Sequence, residues 1–500
     1  MRVGLLGGGV IGAGWAARFL LNGHDVIMYD PDPEASRKIG EVLANATRAT
    51  TKLVMTPLPR MGVLTLVATP EEAATDVEFV QESAPERMEL KQELLARASR
   101  VAGPEVVFGS STSGLLPTDM QRNMTHPSRL VVGHPFNPVY LLPLVEVVGG
   151  ELTSDAAKQR AAEVYASVGM KPLMLRKEVD GFVADRLLEA LWREALGMVA
   201  DGVATASEID DAIRYGAGLR WSFMGTFLVY RIAGGEAGMR HFMAQFGPSL
   251  QWPWSKLTDV PELTDELLDR LVSQSDEQAA GQSIRELEVL RDDCLVAVMQ
   301  GLRSINNGNG YGAGSVVAEY DRSLMAAGAA AVGGLLVDPA NPGPMRLVDR
   351  EIPTDWIDYN GHVNDSRYFQ LSSQATDGFL AAIGLDADYL ATGNTYMTVE
   401  SHVCYVDQAH AGDRVYVDLQ LLSHDDKRLN LFTWVRRAGS GDLIATVEYM
   451  LLHASTAESR TLPAAPQILA NLAGVALVHD RLPPPSRAAR RIGDRPVKGE

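Results

Sequence analysis

Near the N-terminus a short apolar run, Arg2-Val-Gly-Leu-Leu, passes directly into Gly7, Gly9 and Gly12 at G-x-G-x-x-G spacing, and an alanine-rich segment from Ala13 follows. The order strand, glycine turn, helix leaves few folds open. Gly7 permits a tight strand-to-helix turn, Gly9 removes the side chain that would block a pyrophosphate, and Gly12 lets the helix pack close to the strand. The helix start then offers free N–H groups and the positive end of its dipole to phosphates. A second apolar run, Asp25-Val-Ile-Met-Tyr, leads to Asp30. It lies about twenty residues beyond the glycines, where a carboxylate accepts ribose hydroxyl bonds and repels a 2′-phosphate. The expectation is an NAD site built on Gly7, Gly9, Gly12 and Asp30.

At 500 residues the chain has room for two to four compact units. A hydrophobic fraction of 46% and a charged fraction of 22% are ordinary for globular cores. The formal charge of -18 repels nucleic acid and anionic membrane surfaces, which removes both as expected partners. Cys294 and Cys404 stand far apart, giving neither a disulfide framework nor a C-x-x-C metal pair. No basic and apolar leader precedes the first strand, and no run approaches the roughly twenty apolar residues of a membrane span. A cytoplasmic protein without a metal is expected.

Short apolar runs at 64–67, 79–81, 106–109 and 130–133 alternate with helical patterns, as in a doubly wound parallel sheet. Further runs around 144–148 and 172–175 close this α/β Rossmann domain near Asp180. The pattern is helical from Gly181 to about Tyr320, and a Gly, Ala and Pro-rich stretch follows. Beyond it come a short strand, a loop at Asp358, a helix over 366–383, and alternating runs at 398–406, 414–424, 430–437 and 443–453, which suggest an α+β domain. The expected division is a Rossmann domain over 1–180, an all-α domain over 181–325, a linker over 326–345, an α+β domain over 346–456, and a loosely packed tail over 457–500.

Ser110-Ser-Thr-Ser-Gly-Leu, Val132-Gly-His-Pro-Phe-Asn-Pro and Leu144-Val-Glu-Val-Val place Ser113, His134 and Glu146 after strand ends of the nucleotide-binding sheet. Oxidising a secondary alcohol requires a base for the hydroxyl proton. An imidazole titrating near neutrality suits that step, so His134 is the candidate base and Glu146 the carboxylate that orients it. These segments resemble the 3-hydroxyacyl-CoA dehydrogenase family, whose H-x-F-N-P and L-V-E-V motifs recur here at the same mutual spacing, over roughly 1–320. The resemblance implies that Ser113 bonds the substrate oxygen and that Glu86 and Lys91 stand beside the cofactor. It also implies a homodimer. Asn137 is expected to organise the loop on the substrate side.

One departure concerns the substrate. Where fatty-acyl members of the family carry asparagine, Asp180-Gly-Phe-Val-Ala-Asp-Arg has Asp185, a negative charge beside the reacting alcohol. Trp221, Phe223, Tyr230, Trp252 and Trp254 follow, and aromatic faces attract a quaternary ammonium by about 0.5–2 kcal/mol each. Such residues also fill helical cores or dimer interfaces. Arg220 is the candidate partner of a substrate carboxylate. Together these features resemble the carnitine-oxidising branch of the family. That implies L-carnitine as substrate and 3-dehydrocarnitine as product.

In the last domain, Asp355-Trp-Ile-Asp-Tyr-Asn-Gly-His-Val-Asn resembles the D-x-x-G-H-V-N segment of hotdog-fold acyl-CoA thioesterases, over about 345–454. Thioester hydrolysis needs a carboxylate that attacks or activates water, with donors for the oxyanion. Asp358 is the candidate carboxylate, His362 and Asn364 the groups that position water or thioester, and Glu400 a second candidate base. Asp358 and Asn364 also suit a turn and a helix cap. Joined to a carnitine-oxidising domain, a thioesterase is expected to act on betainyl-CoA. Two other readings are a 3-hydroxyacyl-CoA dehydrogenase with a general acyl-CoA thioesterase, and a non-catalytic crystallin-like protein with a hotdog dimerisation module.

Overall fold

The computed structural model describes residues 1–54, 56, 58–251, 255, 257–306, 308–332, 343–456 and 458–490; Trp252 and Trp254 lie outside them. The chain divides into two compact units, Met1–Leu53 with Arg60–Glu319, and Val54–Pro59 with Tyr320–Glu500.

In the first unit the apolar runs form β1 (Arg2–Leu6), β2 (Asp25–Tyr29), β3 (Leu64–Val67), β4 (Phe79–Glu82), β5 (Val107–Ser110), β6 (Leu130–Pro135), β7 (Leu144–Val148) and β8 (Lys171–Met174). They lie in the order β3-β2-β1-β4-β5-β6-β7-β8, with the reversal beside β1 that defines a Rossmann nucleotide crevice. The sheet is not wholly parallel, which corrects the expectation. β7 runs antiparallel to β6 because the connection over 136–143 is too short for a crossover, which takes about a dozen residues. Trp15, Phe19 and Tyr165 fill one face of the sheet, and Leu95, Phe108 and Phe182 the other. Tyr165 lies so close to the strands that a Cβ on Gly133 would stand 1.8 Å from its hydroxyl oxygen.

Helices Ala184–Ala200, Ala206–Ala212, Thr226–Ala233, Gly238–Phe246, Asp265–Ala279 and Ile284–Arg303 follow the sheet. Ser283 and Glu286 form a capping box at the start of Ile284–Arg303, satisfying N–H groups the helix itself leaves open. That helix is tied back to the Rossmann portion. Asp293 takes Arg48 at 2.5 Å and Lys52 at 3.0 Å, and the buried Asp292 accepts the hydroxyl of Tyr140 at 2.7 Å.

The second unit contains β9 (Met345–Glu351), β10 (Asn394–Tyr405), β11 (Arg414–His424), β12 (Arg428–Arg437), β13 (Leu443–Ser455) and β14 (Arg460–Thr461). The antiparallel order β10-β13-β12-β11-β9, with β14 on β13, packs around the helix Asp365–Ala382. This is the hotdog arrangement. Phe379, Leu419, Leu431 and Tyr449 make its core. The loosely packed tail is corrected: Pro466–His479 is a helix whose Ile468, Leu472 and Val475 are at most 2% exposed. Apolar residues at helical spacing after an initial proline drive that packing, a periodicity masked by the Pro and Arg around it.

Among the described residues, no helix is long and apolar enough to cross a membrane, and no group of three or more His, Cys, Asp or Glu side chains suits a metal ion.

Candidate active sites

The glycine turn joins β1 to the helix Val10–Leu21. Gly7 adopts φ +103°, and a Cβ on Gly12 would lie 1.9 Å from the Gly7 carbonyl oxygen, so both positions require glycine. A Cβ on Gly9 would meet nothing within 4 Å: the space before the helix start is open to a pyrophosphate. Asp30, just beyond β2, accepts from the N–H of Gly8 at 2.5 Å and of Asp32 at 2.7 Å, which holds its carboxylate beside that turn. Gly7, Gly9, Gly12 and Asp30 therefore fit NAD.

Glu86 accepts the N–H groups of Ser113 at 3.0 Å and Gly114 at 3.3 Å, and the hydroxyl of Thr112. Burial opposes its ionisation, but Thr112, Lys91 and Gly114 outweigh burial and hold the carboxyl below its ordinary range. Lys91 is turned inward. Its ammonium is 2.8 Å from Glu82, 2.9 Å from the Ala84 carbonyl and 3.4 Å from Glu86, so it supports Glu86 from behind.

His134 and Glu146 face each other because β6 and β7 are antiparallel: the register pairs these two residues directly. His134 Nδ1 lies 3.0 Å from Glu146 Oε2. The other oxygen, Oε1, accepts the N–H groups of Val183 and Ala184, each at 3.0 Å, at the start of the helix Ala184–Ala200. Glu146 is fully buried; burial raises its pKa, yet the bonds from His134, Ala184 and Val183 outweigh it and leave the carboxyl below its ordinary range. An ionised Glu146 accepts the Nδ1 proton, and that leaves the Nε2 lone pair free to act as a base. Facing Nε2 is Asp185, at 3.6 Å. Burial raises the Asp185 pKa, with Glu146, Glu189 and Glu86 adding to the effect and His134 opposing it.

A cavity of about 750 Å³ opens beside this pair, lined by Glu86, Ser113, Asp180, Asp185, Arg186, Glu189 and Arg193 among others. Ser113, Glu86 and Asp185 thus share one space. Arg220, Trp221 and Phe223 do not line it: they lie on the short helix Gly218–Trp221 and the turn after it, exposed. Asn137 is exposed on the loop after β6, and Tyr230 stacks on Phe242 at 4.5 Å.

In the second unit a bridge between Ile357 and Val363 closes a loop that carries Asp358 and His362. Asp358 Oδ1 accepts the Asn360 N–H at 2.8 Å, while Oδ2 has no hydrogen-bond partner among the described residues. Asn364 caps the helix Asp365–Ala382 by accepting the Ser366 N–H at 3.1 Å. The His362 ring lies 5.2 Å from that of His410. Glu400 is exposed on β10 beside a register shift.

Family models match three successive parts of the chain. They are the 3-hydroxyacyl-CoA dehydrogenase NAD binding domain at 2–179, the 3-hydroxyacyl-CoA dehydrogenase C-terminal domain at 181–266, and the thioesterase-like superfamily at 352–472. A protein named L-carnitine dehydrogenase/betainyl-CoA thioesterase from Rhizobium meliloti (strain 1021) is 48% identical over 99% of this chain and 99% of its own. The chain belongs to the L-carnitine dehydrogenase/betainyl-CoA thioesterase family. It joins an NAD-dependent dehydrogenase and a thioesterase. An L-carnitine dehydrogenase from Mesorhizobium japonicum is 59% identical over 65% of this chain and 89% of its own. Among solved structures, the NAD-dependent dismutase 5-formyl-3-hydroxy-2-methylpyridine 4-carboxylic acid 5-dehydrogenase is similar. It has a TM-score of 0.51 and 25% identity over 61% of this chain and 98% of its own.

In this member of the family, several site residues escape a reading of the sequence. Glu82 is fully buried between Lys91 and the Ser110 hydroxyl, and nothing in its local pattern marks it. Arg186 directly follows Asp185, but adjacency in sequence does not say which side chains line a cavity. The acidic Asp180 and Glu189 belong to the same lining.

Proposed function

We propose that the first unit oxidises L-carnitine to 3-dehydrocarnitine with NAD and that the second hydrolyses betainyl-CoA to glycine betaine and CoA. The observation that carries the first half is the acidic group beside the base: Asp185 stands 3.6 Å from His134 Nε2 and lines a cavity rich in charged side chains. Bound NAD supplies the hydride acceptor. His134 Nε2 takes the hydroxyl proton, Glu146 stabilises the resulting imidazolium through Nδ1, and Ser113 bonds the substrate oxygen. Asp185 attracts the trimethylammonium, which offers no hydrogen-bond donor and is recognised by charge. Asn137 borders the substrate through its loop.

In the second unit, the free oxygen of Asp358 meets the thioester carbonyl or its attacking water. His362 and Asn364 position that encounter at the helix start. A homodimer is part of this reading. Leu187, Trp192, Tyr215 and Phe227 on the helical segment are 71%, 60%, 73% and 81% exposed, an apolar surface that a second copy would cover. We place the protein in the cytoplasm because Cys294 and Cys404 are free thiols, as suits a reducing compartment.

The test is NADH formation by the purified chain with L-carnitine, D-carnitine and 3-hydroxybutyryl-CoA, alongside CoA release from betainyl-CoA. Stereoselective turnover of L-carnitine with hydrolysis of betainyl-CoA is expected. Turnover of the CoA ester alone would favour a general 3-hydroxyacyl-CoA dehydrogenase.

A further inference from the structure

We propose that Arg186 is the carboxylate anchor of the dehydrogenase cavity, so that the site selects a 3-hydroxy acid with a free carboxylate opposite its cationic end. The proposal rests on the reading of that site as a carnitine dehydrogenase and adds a specificity-determining residue to it.

Four carboxylates and two guanidiniums line the cavity. Of the guanidiniums, Arg193 is bound to Glu189 at 3.1 Å. Arg186 makes no ion pair or side-chain hydrogen bond among the described residues, so its five donors are available. Its place is set by the turn before it. Gly181 adopts φ +66°, and a Cβ there would stand 3.2 Å from Arg186 Cγ, so the arginine stem runs across a position kept bare. Gly181 and Arg186 both line the cavity.

The geometry suits a zwitterion. Carnitine bears its ammonium and its carboxylate on opposite sides of the carbinol, each one methylene away. With the hydroxyl at His134 Nε2, Asp185 is close enough to attract the ammonium. Asp185 and Arg186 are consecutive in the first turn of the helix Ala184–Ala200, so their side chains diverge by about 100° around its axis. Adjacent residues of opposite charge therefore address the two ends of the substrate. A planar guanidinium matches a carboxylate with two parallel bonds, a match that a thioester in the same position does not offer.

The experiment uses the full-length chain and three secondary alcohols: L-carnitine, 3-hydroxybutyrate, which lacks the ammonium, and (2-hydroxypropyl)trimethylammonium, which lacks the carboxylate. For each, kcat/KM is measured in the wild type, Arg186→Gln, Arg186→Lys, Asp185→Asn and Arg220→Gln. Where an analogue turns over too slowly, its inhibition constant against L-carnitine is read instead, and NADH binding by fluorescence establishes that each variant is folded. Arg186→Gln is expected to weaken the two carboxylate-bearing compounds about 10- to 100-fold relative to the carboxylate-free cation, with partial recovery in Arg186→Lys. Asp185→Asn is expected to shift the balance the other way, and Arg220→Gln to leave it unmoved.

An equal loss on all three compounds in Arg186→Gln, or a carboxylate-selective loss in Arg220→Gln instead, would overturn the proposal. A folded, NADH-binding wild type that oxidises none of the three compounds would sink the carnitine reading itself, whereas L-carnitine turnover without carboxylate selectivity in Arg186→Gln would sink only the anchor.

Discussion

Both oxygens of Glu146 are occupied, one by His134 Nδ1 and the other by two backbone N–H groups, so the carboxylate can neither rotate nor take a proton cheaply. Replacing it with glutamine keeps the shape and removes the charge that stabilises the imidazolium. Glu146→Gln is expected to lower kcat for carnitine oxidation about 10²- to 10⁴-fold while betainyl-CoA hydrolysis is unchanged; equal kcat values would show that the charge is idle.

The two carboxylates near His134 have opposite linkage. Glu146 is held below its ordinary 4.5, so its contribution to stability is present above that pH and lost as pH falls through the folded value. Asp185 is raised above 3.8, so its contribution is present below 3.8 and lost as pH rises through the folded value. Asp185→Asn is therefore expected to raise the Tm of the substrate-free enzyme at pH 7. The wild-type KM for carnitine is also expected to rise as pH falls through the Asp185 pKa, and Asp185→Asn to abolish that rise. A Tm unchanged or lowered, or a rise in KM at low pH that survives in Asp185→Asn, would contradict this assignment. The sequence exposed His134, Glu146 and Ser113 because their spacing in a strand-rich segment is distinctive. It pointed to Arg220, Trp221 and Phe223 by residue type alone, and type does not encode which surface of a helical segment faces a cavity.

At the scale of elements, the reversal of β7 shapes the dehydrogenase site, because its antiparallel register sets Glu146 directly across from His134. The short loop over 136–143 held the signal for that reversal, while the alternation of strands and helices before it suggested that the parallel pattern would continue. Strand positions themselves were legible from apolar runs, since β7 and β11 carry strong contrast with their flanks. The helix Pro466–His479 was not, because proline and alanine dominate its neighbourhood and conceal the spacing of Ile468, Leu472 and Val475.

The same sheet supplies a test of packing. Gly133 sits on β6 with Tyr165 pressed against it, so a Cβ would meet the ring at 2.4 Å. Gly133→Ala is expected to destabilise the first unit by about 1–3 kcal/mol. Thermal unfolding would show a lower Tm for the transition that NAD stabilises, and an unchanged transition would mean that Tyr165 moves freely.

For the molecule as a whole, the question is whether two chemistries share a chain without sharing machinery. The residues at each site come from one unit: His134, Glu146 and Asp185 from the first, Asp358, His362 and Asn364 from the second. Val54–Pro59 is grouped with the second unit, yet the contacts that hold it involve Tyr320, Asp321 and Leu324, all within the helix Ala313–Val332. A fragment of residues 1–332 therefore retains those contacts along with the whole NAD crevice and cavity. The 1–332 fragment is expected to form NADH from L-carnitine with kcat/KM within about twofold of the full chain, and to release no CoA from betainyl-CoA. Mixing it with a separate fragment of residues 343–500 should restore hydrolysis without altering carnitine oxidation. A folded 1–332 fragment that binds NADH but does not oxidise carnitine would mean that the dehydrogenase site depends on the second unit, and the independence of the two activities would fall.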